Sequence, residues 1–302
     1  MRDLPFYKHT DFVAIMACAL WGTAFVGIKI GLQYNTPLQF AGVRFTLAGL
    51  MILPFVKDFK LKWKVSMQHW RVIILIAFLQ TTLLYALFYW GLARVPASIG
   101  AMLGGASPLF IALVAHFGIR NDKMTKYKLY CILMGLFGVI IISLNKTSAD
   151  GILYPAMGLG IVFLLLNNIT AGFGNVAVAK YGDGLPPMML SSLSLIIGGF
   201  TLWLVSFLFE DVSLSLNRPV AYYLALLWLS FLSAAAITMW YTLLRRPGVK
   251  VSQLGTWKFI IPILGACLSW IILPDESPNL LSLIGMIFIA ASLILINRKR
   301  VK

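Results

Sequence analysis

Residues 251–273 have the sequence VSQLGTWKFIIPILGACLSWIIL. The segment is long enough to cross a bilayer as a helix, yet Lys258 stands near its middle. A charge at that depth costs at least about 2.5–3.5 kcal/mol on insertion, so it normally faces a bundle interior or a water-filled cavity. Gly255 and Pro262 should share its helical face and leave room around the ammonium. We therefore expect a cavity into which Lys258 projects; the alternative is that its side chain extends to the membrane interface.

The composition places the chain among helical membrane proteins. Of its 302 residues, 60% are hydrophobic and 12% are charged, which is too apolar for a soluble domain of this size. The net charge of +15 lies in short loops, so it reflects membrane topology, and we expect no nucleic-acid partner. The 3 cysteines fall in apolar segments without a C-x-x-C pattern, so we expect no disulfide framework, metal site or cofactor.

Apolar segments of roughly membrane-spanning length recur along the chain, and we expect an all-α integral membrane protein with ten transmembrane helices. The N-terminal residues are polar and lack a signal cleavage site, so the first segment should remain in the mature protein. The segments are Phe12–Ile28, Leu38–Val56, Val72–Leu92, Ala97–Phe117, Leu129–Leu144, Ile152–Ala179, Met188–Phe209, Tyr222–Leu244, Val251–Leu273 and Leu280–Ile296.

Lysine and arginine are distributed unevenly over the loops. With the N-terminus in the cytosol, 19 of them fall on the cytosolic side and 3 on the outside, namely Arg94, Lys146 and Arg218. Because basic loops stay in the cytosol, both termini are predicted to be cytoplasmic in a multi-pass protein of the cell inner membrane. Two cytosolic termini require an even number of spans, which agrees with ten.

The two halves of the chain share a weak pattern, in which three residue pairs match at an offset of 154: Ser98 with Ser252, Pro108 with Pro262, and Asp122 with Glu276. Each half holds five spans, and because five is odd, the halves must lie inverted relative to each other. Inverted repeats are typical of secondary transporters, whose substrate site lies near the midplane. We expect a cytosolic segment at 1–10, repeats at 11–146 and 151–297, and a basic cytosolic tail at 298–302.

Two segments resemble the opening of a bacterial EamA domain: LWGTAFVGIKIGL, Leu20 to Leu32, and RFTLAGLMILP, Arg44 to Pro54. The end of each half is similar to the family's repeat ending, an acidic residue nine positions before a small one: Glu276 with Gly285, and Asp122 with Cys131. The resemblance covers residues 11–297 and implies the drug/metabolite transporter superfamily. It implies ten helices in two inverted five-helix repeats, a central cavity and alternating access.

The resemblance also implies a range of substrates. Relatives export amino acids and other small metabolites, and some plastid and Golgi relatives exchange phosphate esters or nucleotide sugars. The first half departs from the pattern by having Asp122 and Cys131 where Glu and Gly are expected. The second half lacks a Trp-Gly pair at the start of its first helix. These departures leave the fold expectation intact and the substrate open.

Buried cations and polar side chains supply the candidate contacts, with Lys258 as the strongest candidate for a substrate anion. Polar residues at mid-depth either bond between helices or line a cavity, and aromatic residues either line it or form an interfacial belt. We expect the cavity lining to include Lys258, Asn168, Gln80, Tyr85, Trp21, Trp257, Gln253 and Trp240. Structural or gating roles are expected for Arg44, Pro108, Pro262, Gly104 and Gly255.

The acidic residues all fall in loops or at span ends, so we expect no proton relay through a mid-membrane carboxylate. This favours facilitated diffusion or substrate exchange. The leading interpretation is a secondary transporter that exports or exchanges an amino acid or a related zwitterionic or anionic metabolite. The alternative is a phosphate-ester or nucleotide-sugar antiporter, which needs several converging cations.

An integral membrane enzyme is the least favoured interpretation. His9, His69 and His116 occur without HxxxH or DxxD spacing, so no catalytic residue is assigned. The partners expected from the sequence are a small-molecule metabolite and the lipid bilayer. Whether the protein forms a homodimer is left open.

Overall fold

The computed structural model describes residues 10–119, 125–143, 156–215 and 217–298, and within these ranges every regular element is helical. A short linker helix, Phe59–Gln68, joins the second and third long helices. The long helices are α1 (Thr10–Leu32), α2 (Pro37–Phe55), α3 (Trp70–Leu92), α4 (Ala97–Gly118), α5 (Lys126–Ser143), α6 (Met157–Tyr181), α7 (Pro187–Phe209), α8 (Val220–Leu244), α9 (251–272) and α10 (Leu280–Arg298).

Seven helices in the described ranges, α1 to α4 and α6 to α8, are long and apolar enough to cross a membrane. Shorter apolar helices occupy Ile260–Ile272 in α9 and Leu280–Ser292 in α10. Each predicted apolar segment falls on one of the ten helices wherever the structure describes it. The predicted cytosolic segment up to residue 9, Asp122, and the tail from residue 299 lie outside the described residues.

The linker helix was not expected, because its residues fall between the predicted apolar segments Leu38–Val56 and Val72–Leu92. It begins after Asp58, whose φ of 53° is in the left-handed region. Its three lysines alternate with Phe59, Leu61 and Trp63, and these three apolar side chains are exposed. Basic and apolar side chains mixed in one short helix are typical of a segment that lies at a membrane interface.

Helices α2 and α7 make a particularly close contact through glycine. A Cβ atom at Gly42 would lie 2.5 Å from the Trp203 backbone nitrogen, and one at Gly199 would lie 2.5 Å from the Thr46 backbone nitrogen. Small residues allow helix backbones to approach in membranes, where burial of apolar surface gives little net attraction. The α2–α7 contact therefore depends on the absence of these side-chain atoms.

The other helix contacts follow a regular pattern. Helix α6 packs on α3 and α4, while α1 packs on α8 and α9. Helix α7 contacts α3, while α2 contacts α8. The remaining major pairs are α2 with α7, α4 with α9, and α5 with α10. When each helix is replaced by the helix five places away in the chain, every pair named here becomes another pair named here or stays the same. For example, the α6–α3 pair becomes the α1–α8 pair, and the α2–α7 pair is unchanged.

Several helices are interrupted near their centres. Helix α1 has a turn at Thr23, α3 contains a π-helical turn at Phe78–Thr82, α4 is broken at 105–106, and α9 narrows to a 3₁₀ turn at Thr256–Phe259. Proline explains two of these interruptions, because Pro108 and Pro262 cannot donate a backbone hydrogen bond to the carbonyl four residues earlier. Interrupted membrane helices expose backbone groups only where protein or a polar cavity surrounds them.

Contacts at the two ends of the bundle tie the halves of the chain together. At one end, here called the Glu276 end, the buried Glu276 carboxylate accepts hydrogen bonds from the first backbone N–H groups of α4, at Ala97 and Ser98. The Glu210 carboxylate likewise accepts from the Leu38 N–H at the start of α2. At the opposite end, the Thr10 end, Arg246 donates to the Thr10 hydroxyl over 2.7 Å.

Candidate functional site

A cavity of about 120 Å³ lies at the level of the helix interruptions. Seven helices contribute to its wall, namely α1, α2, α3, α4, α6, α8 and α9. Its bordering residues are Trp21, Ala24, Phe25, Ile28, Arg44, Gln80, Leu84, Tyr85, Phe88, Gly104, Ser107, Asn167, Asn168, Ala171, Asn175, Ile237, Trp240, Tyr241, Lys258 and Ile261. Among the described residues, this wall holds two cations and no carboxylate.

Lys258 projects into this cavity from the 3₁₀ turn of α9. Its Nζ atom lies 5.2 Å from the centre of the Trp21 ring and 5.0 Å from the centre of the Trp240 ring. The two indoles are themselves in edge contact, with centroids 5.2 Å apart. Among the described residues, no carboxylate contacts the ammonium. Two indole faces stabilise a cation by about 0.5–2 kcal/mol each and leave its N–H groups able to bind a further acceptor.

Trp240 is held in place by a hydrogen bond. Its indole Nε1–H donates to the Asn175 Oδ1 atom over 2.7 Å, and the Asn175 amide in turn donates to the Ala171 carbonyl over 2.6 Å. All three residues border the cavity. This bond fixes the ring orientation, so that the negative face of the indole stays directed at the Lys258 ammonium.

Arg44 is the second cation, and it combines a structural role with a position on the cavity wall. Its Nη1 donates to the Tyr89 hydroxyl over 2.7 Å, and its Nη2 donates to the Ser233 hydroxyl over 2.8 Å. Its Nε atom also lies 3.2 Å from the Leu229 carbonyl. These neutral partners hold the guanidinium without cancelling its charge, so an anion in the cavity would meet positive potential from both Arg44 and Lys258.

Two neighbouring asparagines on α6 support the interrupted helices. Asn168 donates from Nδ2 to the Leu103 carbonyl over 3.0 Å, two residues before the break in α4. Asn167 donates to the Leu84 carbonyl over 2.7 Å, just beyond the π-helical turn of α3. Amide side chains can replace donors that interrupted helices lack. These contacts tie the second half of the chain to the first at cavity level.

The other expected cavity residues are placed as follows. Gln80 and Tyr85 border the cavity from α3, and the Tyr85 ring packs on Phe45 with centroids 3.9 Å apart. The Gln80 Nε2 atom is buried without a hydrogen-bond acceptor. Trp257 does not border the cavity, because its indole N–H donates to Asp11 at 3.2 Å near the Thr10 end. The side chain of Gln253 lies outside the described residues.

Apart from Arg44 on α2, the residues expected to have structural or gating roles lie on α4 and α9. Gly104 borders the cavity, and a Cβ atom there would have only Phe25 within 4 Å. Pro262 lies against α4, where a Cβ atom at Gly105 would approach its ring to 2.7 Å. Pro108 is buried in α4. Gly255 is also buried and faces Ile111 of α4, with a Cβ atom there meeting its side chain at 3.4 Å.

The structure adds bordering residues that were not selected from the sequence. The polar part of the cavity wall also includes Asn167, Asn175, Ser107 and Tyr241. The apolar part also includes Phe25 and Phe88. Asn167 and Asn175 carried a usable signal, because with Asn168 and Ala171 they recur at spacings of three and four on one face of α6. Ser107 and the phenylalanines carried none, since such residues are ordinary in packed membrane helices.

Comparisons with known proteins agree with this architecture. The profile of the EamA-like transporter family matches residues 9–144 and again 158–298. The uncharacterized transporter YvbV of Bacillus subtilis is 26% identical over 99% of this chain and 94% of that protein. A probable amino-acid metabolite efflux pump of Salmonella typhimurium is 23% identical over 95% of this chain and 94% of that protein.

A solved crystal structure has a similar fold, with a TM-score of 0.72 over 97% of this chain and 98% of the other. The two sequences are 17% identical, so the likeness concerns the fold alone. The two family matches together cover most of the chain. On this evidence the chain belongs to the EamA-like transporter family of the drug/metabolite transporter superfamily, and it is a multi-pass membrane transporter.

Proposed function

We propose that the protein is a secondary transporter for a small metabolite that bears a carboxylate, such as an amino acid or a related zwitterionic or anionic compound. The observation that carries the proposal is the Lys258 ammonium, which borders the cavity between two indoles and has no carboxylate partner among the described residues. Placing a charge at membrane depth is costly, and charged residues that are kept there usually mark a functional site. A substrate carboxylate would supply the missing counter-charge and accept hydrogen bonds from the ammonium.

The rest of the wall fits such a substrate. Arg44 adds positive potential on another side of the cavity, and the Asn168 and Gln80 side chains add amide groups that can orient a polar substrate. The rings of Trp21 and Trp240 limit access of water to the ammonium, which strengthens its attraction for an anion. No residue of the described wall is a carboxylate, so an uncompensated cationic substrate is disfavoured.

We further propose that the ten helices form two inverted five-helix repeats, within residues 11–146 and 151–297. The family profile matches the chain twice in succession, and the helix contacts interchange when each helix is exchanged with the one five places away. Five helices in each half would give the halves opposite orientations in the membrane. Transporters of this architecture bind substrate where the repeats meet and expose it to the two sides in turn.

Alternating access would require contacts between the halves to break at one end at a time. At the Glu276 end, the Glu276 and Glu210 carboxylates of the second half cap helices of the first half. We propose that these contacts form when this end is closed and separate when it opens. The glycines and prolines at the α4–α9 crossing, including Gly104 and Pro262, would allow the movement.

The proposed location is the cell inner membrane, with the Thr10 end in the cytosol. In the sequence, the segments predicted to face the cytosol carry 19 basic residues against 3 in the segments predicted to lie outside, a bias typical of cytosolic loops. The proposed direction of transport is export or exchange.

An antiporter of phosphate esters is the second candidate function. The specific observation in its favour is Arg44, which brings a second cation to the cavity wall.

The purified protein in proteoliposomes tests this function. Uptake is measured for an amino acid, a dicarboxylate, a phosphate ester and a cationic amine, with and without the same compound inside. We expect saturable uptake of a carboxylate compound that is accelerated by internal substrate. Uptake confined to the phosphate ester would favour the second candidate, and uptake confined to the amine would refute both.

A further inference from the structure

A basic recess of about 520 Å³ lies at the Thr10 end of the bundle, apart from the central cavity. It is formed where α4, α6 and α8 end and α9 begins. Its bordering residues are Ile119, Ala179, Lys180, Asp183, Leu244, Arg245, Arg246, Pro247, Gly248, Val249, Lys250 and Val251. Four of these are cationic and one is acidic, so the recess has a strong positive bias.

Arg245 is the unusual member of this group. Its Nε and Nη1 atoms are buried and have no hydrogen-bond acceptor. Its nearest carboxylate is Asp183, at 4.0 Å, and that side chain is fully exposed, so the pair is weak. Burial lowers the pKa of the Arg245 guanidinium from its ordinary value, and the Asp183 charge acts in the opposite direction. An arginine stays charged in proteins, so this half-buried cation lacks a close counter-charge among the described residues.

The recess and the cavity share the same helix faces. On α6, Asn175 borders the cavity and Ala179 borders the recess, four residues away. On α8, Tyr241 borders the cavity and Leu244 the recess. Residues three or four apart lie above each other on a helix, about one turn or 5–6 Å apart. The recess therefore lies beyond the cavity along α6 and α8, toward the Thr10 end.

We infer that the recess is a second anion-binding site. It binds the carboxylate or phosphate group of a soluble substrate at the Thr10 end before the substrate reaches Lys258. Arg245 binds the anion, and Lys180 and Lys250 raise its local concentration. This inference rests on the proposed function for the identity of the transported solute. The existence of the anion site itself can be tested without transport.

The first test measures charge selectivity in the recess by thiol modification. Val249, which borders the recess, is changed to Cys in a Cys267→Ser background, where the remaining Cys18 and Cys131 are buried. We expect an anionic methanethiosulfonate to react about five-fold or more faster than a neutral one, since a cationic recess concentrates anions. Inorganic phosphate should slow the anionic reagent, and Arg245→Gln should remove most of the preference. Arg71→Gln, which removes an exposed cation outside the recess, should not.

The second test measures transport from each side in oriented proteoliposomes of phosphatidylcholine. Arg245→Gln should raise KM about three- to ten-fold for substrate supplied at the Thr10 end, with little change at the Glu276 end or in kcat. If Arg245→Gln changes KM equally from both sides, or does not change it, the recess does not lie on the transport path. The thiol-modification test is also repeated in nanodiscs that contain phosphatidylglycerol, with no free anion added. If the Val249→Cys thiol then loses its preference for the anionic reagent, the recess binds a lipid headgroup and the inference is overturned.

The two tests separate this inference from the proposed function. If no carboxylate compound is transported but the thiol preference depends on Arg245, the anion site stands and the function fails. If transport depends on Lys258 but the Val249→Cys thiol shows no charge preference, the function stands and the recess is not an anion site.

Discussion

The Lys258 ammonium lies 5.0 Å from the centre of the Trp240 indole, and Asn175 holds that indole by a 2.7 Å hydrogen bond. The cation from α9, the ring from α8 and the amide from α6 thus form one connected unit on the cavity wall. Because the ring orientation depends on Asn175, the environment of the ammonium can be altered without touching Lys258 itself.

Removal of the Trp240 indole should weaken substrate binding moderately. Trp240→Leu loses one cation–π contact and one water-excluding surface, so we expect KM to rise about two- to ten-fold with the protein still folded. Asn175→Leu should give a smaller rise, because the ring remains but its orientation is released. Trp70→Phe, at an exposed site, serves as the control. Unchanged KM in both cavity variants would mean that the indole does not act on the binding cation.

Loss of the buried guanidinium should reduce stability more than it alters affinity. Arg44→Met leaves the Tyr89 and Ser233 hydroxyls without their partner, so we expect a loss of about 2–4 kcal/mol. Thermal unfolding of the detergent-purified protein measures it, with Arg71→Met as an exposed control. Arg44→Lys should recover only part of the loss, because an ammonium cannot reach both hydroxyls in the same planar arrangement. A fully stable Arg44→Met variant would contradict the structural role.

The same glycine-to-alanine change should act in opposite directions at two helical sites. At Gly199 the new Cβ atom meets the Thr46 backbone at 2.5 Å, whereas at Gly158 there is no heavy atom within 4 Å. We expect Gly199→Ala to destabilise by about 1–3 kcal/mol through overpacking. Gly158→Ala should be neutral or stabilising by up to about 1 kcal/mol. Thermal unfolding of both variants checks this, and equal effects would show that α2 and α7 are not closely packed.

Neutralising a helix cap should loosen the Glu276 end. Glu276→Gln keeps the shape but removes the charge that accepts from the Ala97 and Ser98 N–H groups, so we expect about 1 kcal/mol of destabilisation. The neighbouring Asp275→Asn change, at an exposed site, should have little effect. In thiol-labelling assays on a Cys267→Ser background, Glu276→Gln should also raise the reactivity of a cysteine placed at Val95, which is buried at this end. Unaltered reactivity would argue against the cap as a closing contact.

The length of the apolar segments predicted where the helices lie, because a chain in lipid must form its backbone hydrogen bonds within each membrane span. The same reasoning missed the linker helix Phe59–Gln68, whose alternating lysines resemble a loop. It also could not foresee the partners of Glu276, since they lie 178 and 179 residues away along the chain. Such contacts depend on how helices meet, which hydrophobic patterning does not specify.

Site residues were predictable where polarity conflicted with membrane depth. Lys258, Asn168 and Gln80 stand out in an apolar sequence, and all three border the cavity. Trp257 was also expected on the cavity wall, but it does not border the cavity in this structure. The helical pattern does not decide this, because the adjacent residues Trp240 and Tyr241 both border the cavity, whereas Trp257 beside Lys258 does not. The structure directs Trp257 to Asp11 instead.

The central claim is that the Lys258 ammonium binds the substrate anion, and a matched pair of lysine variants tests it most directly. Lys258→Met and Lys64→Met, a change at an exposed lysine of the linker helix, are compared in proteoliposomes for concentration-dependent uptake of the carboxylate substrate found in the panel. The account predicts that Lys258→Met abolishes saturable uptake or raises KM at least about ten-fold, while the Lys64 variant retains saturable uptake and Lys258→Arg recovers part of the activity. Wild-type KM and kcat in correctly folded Lys258→Met protein would contradict it.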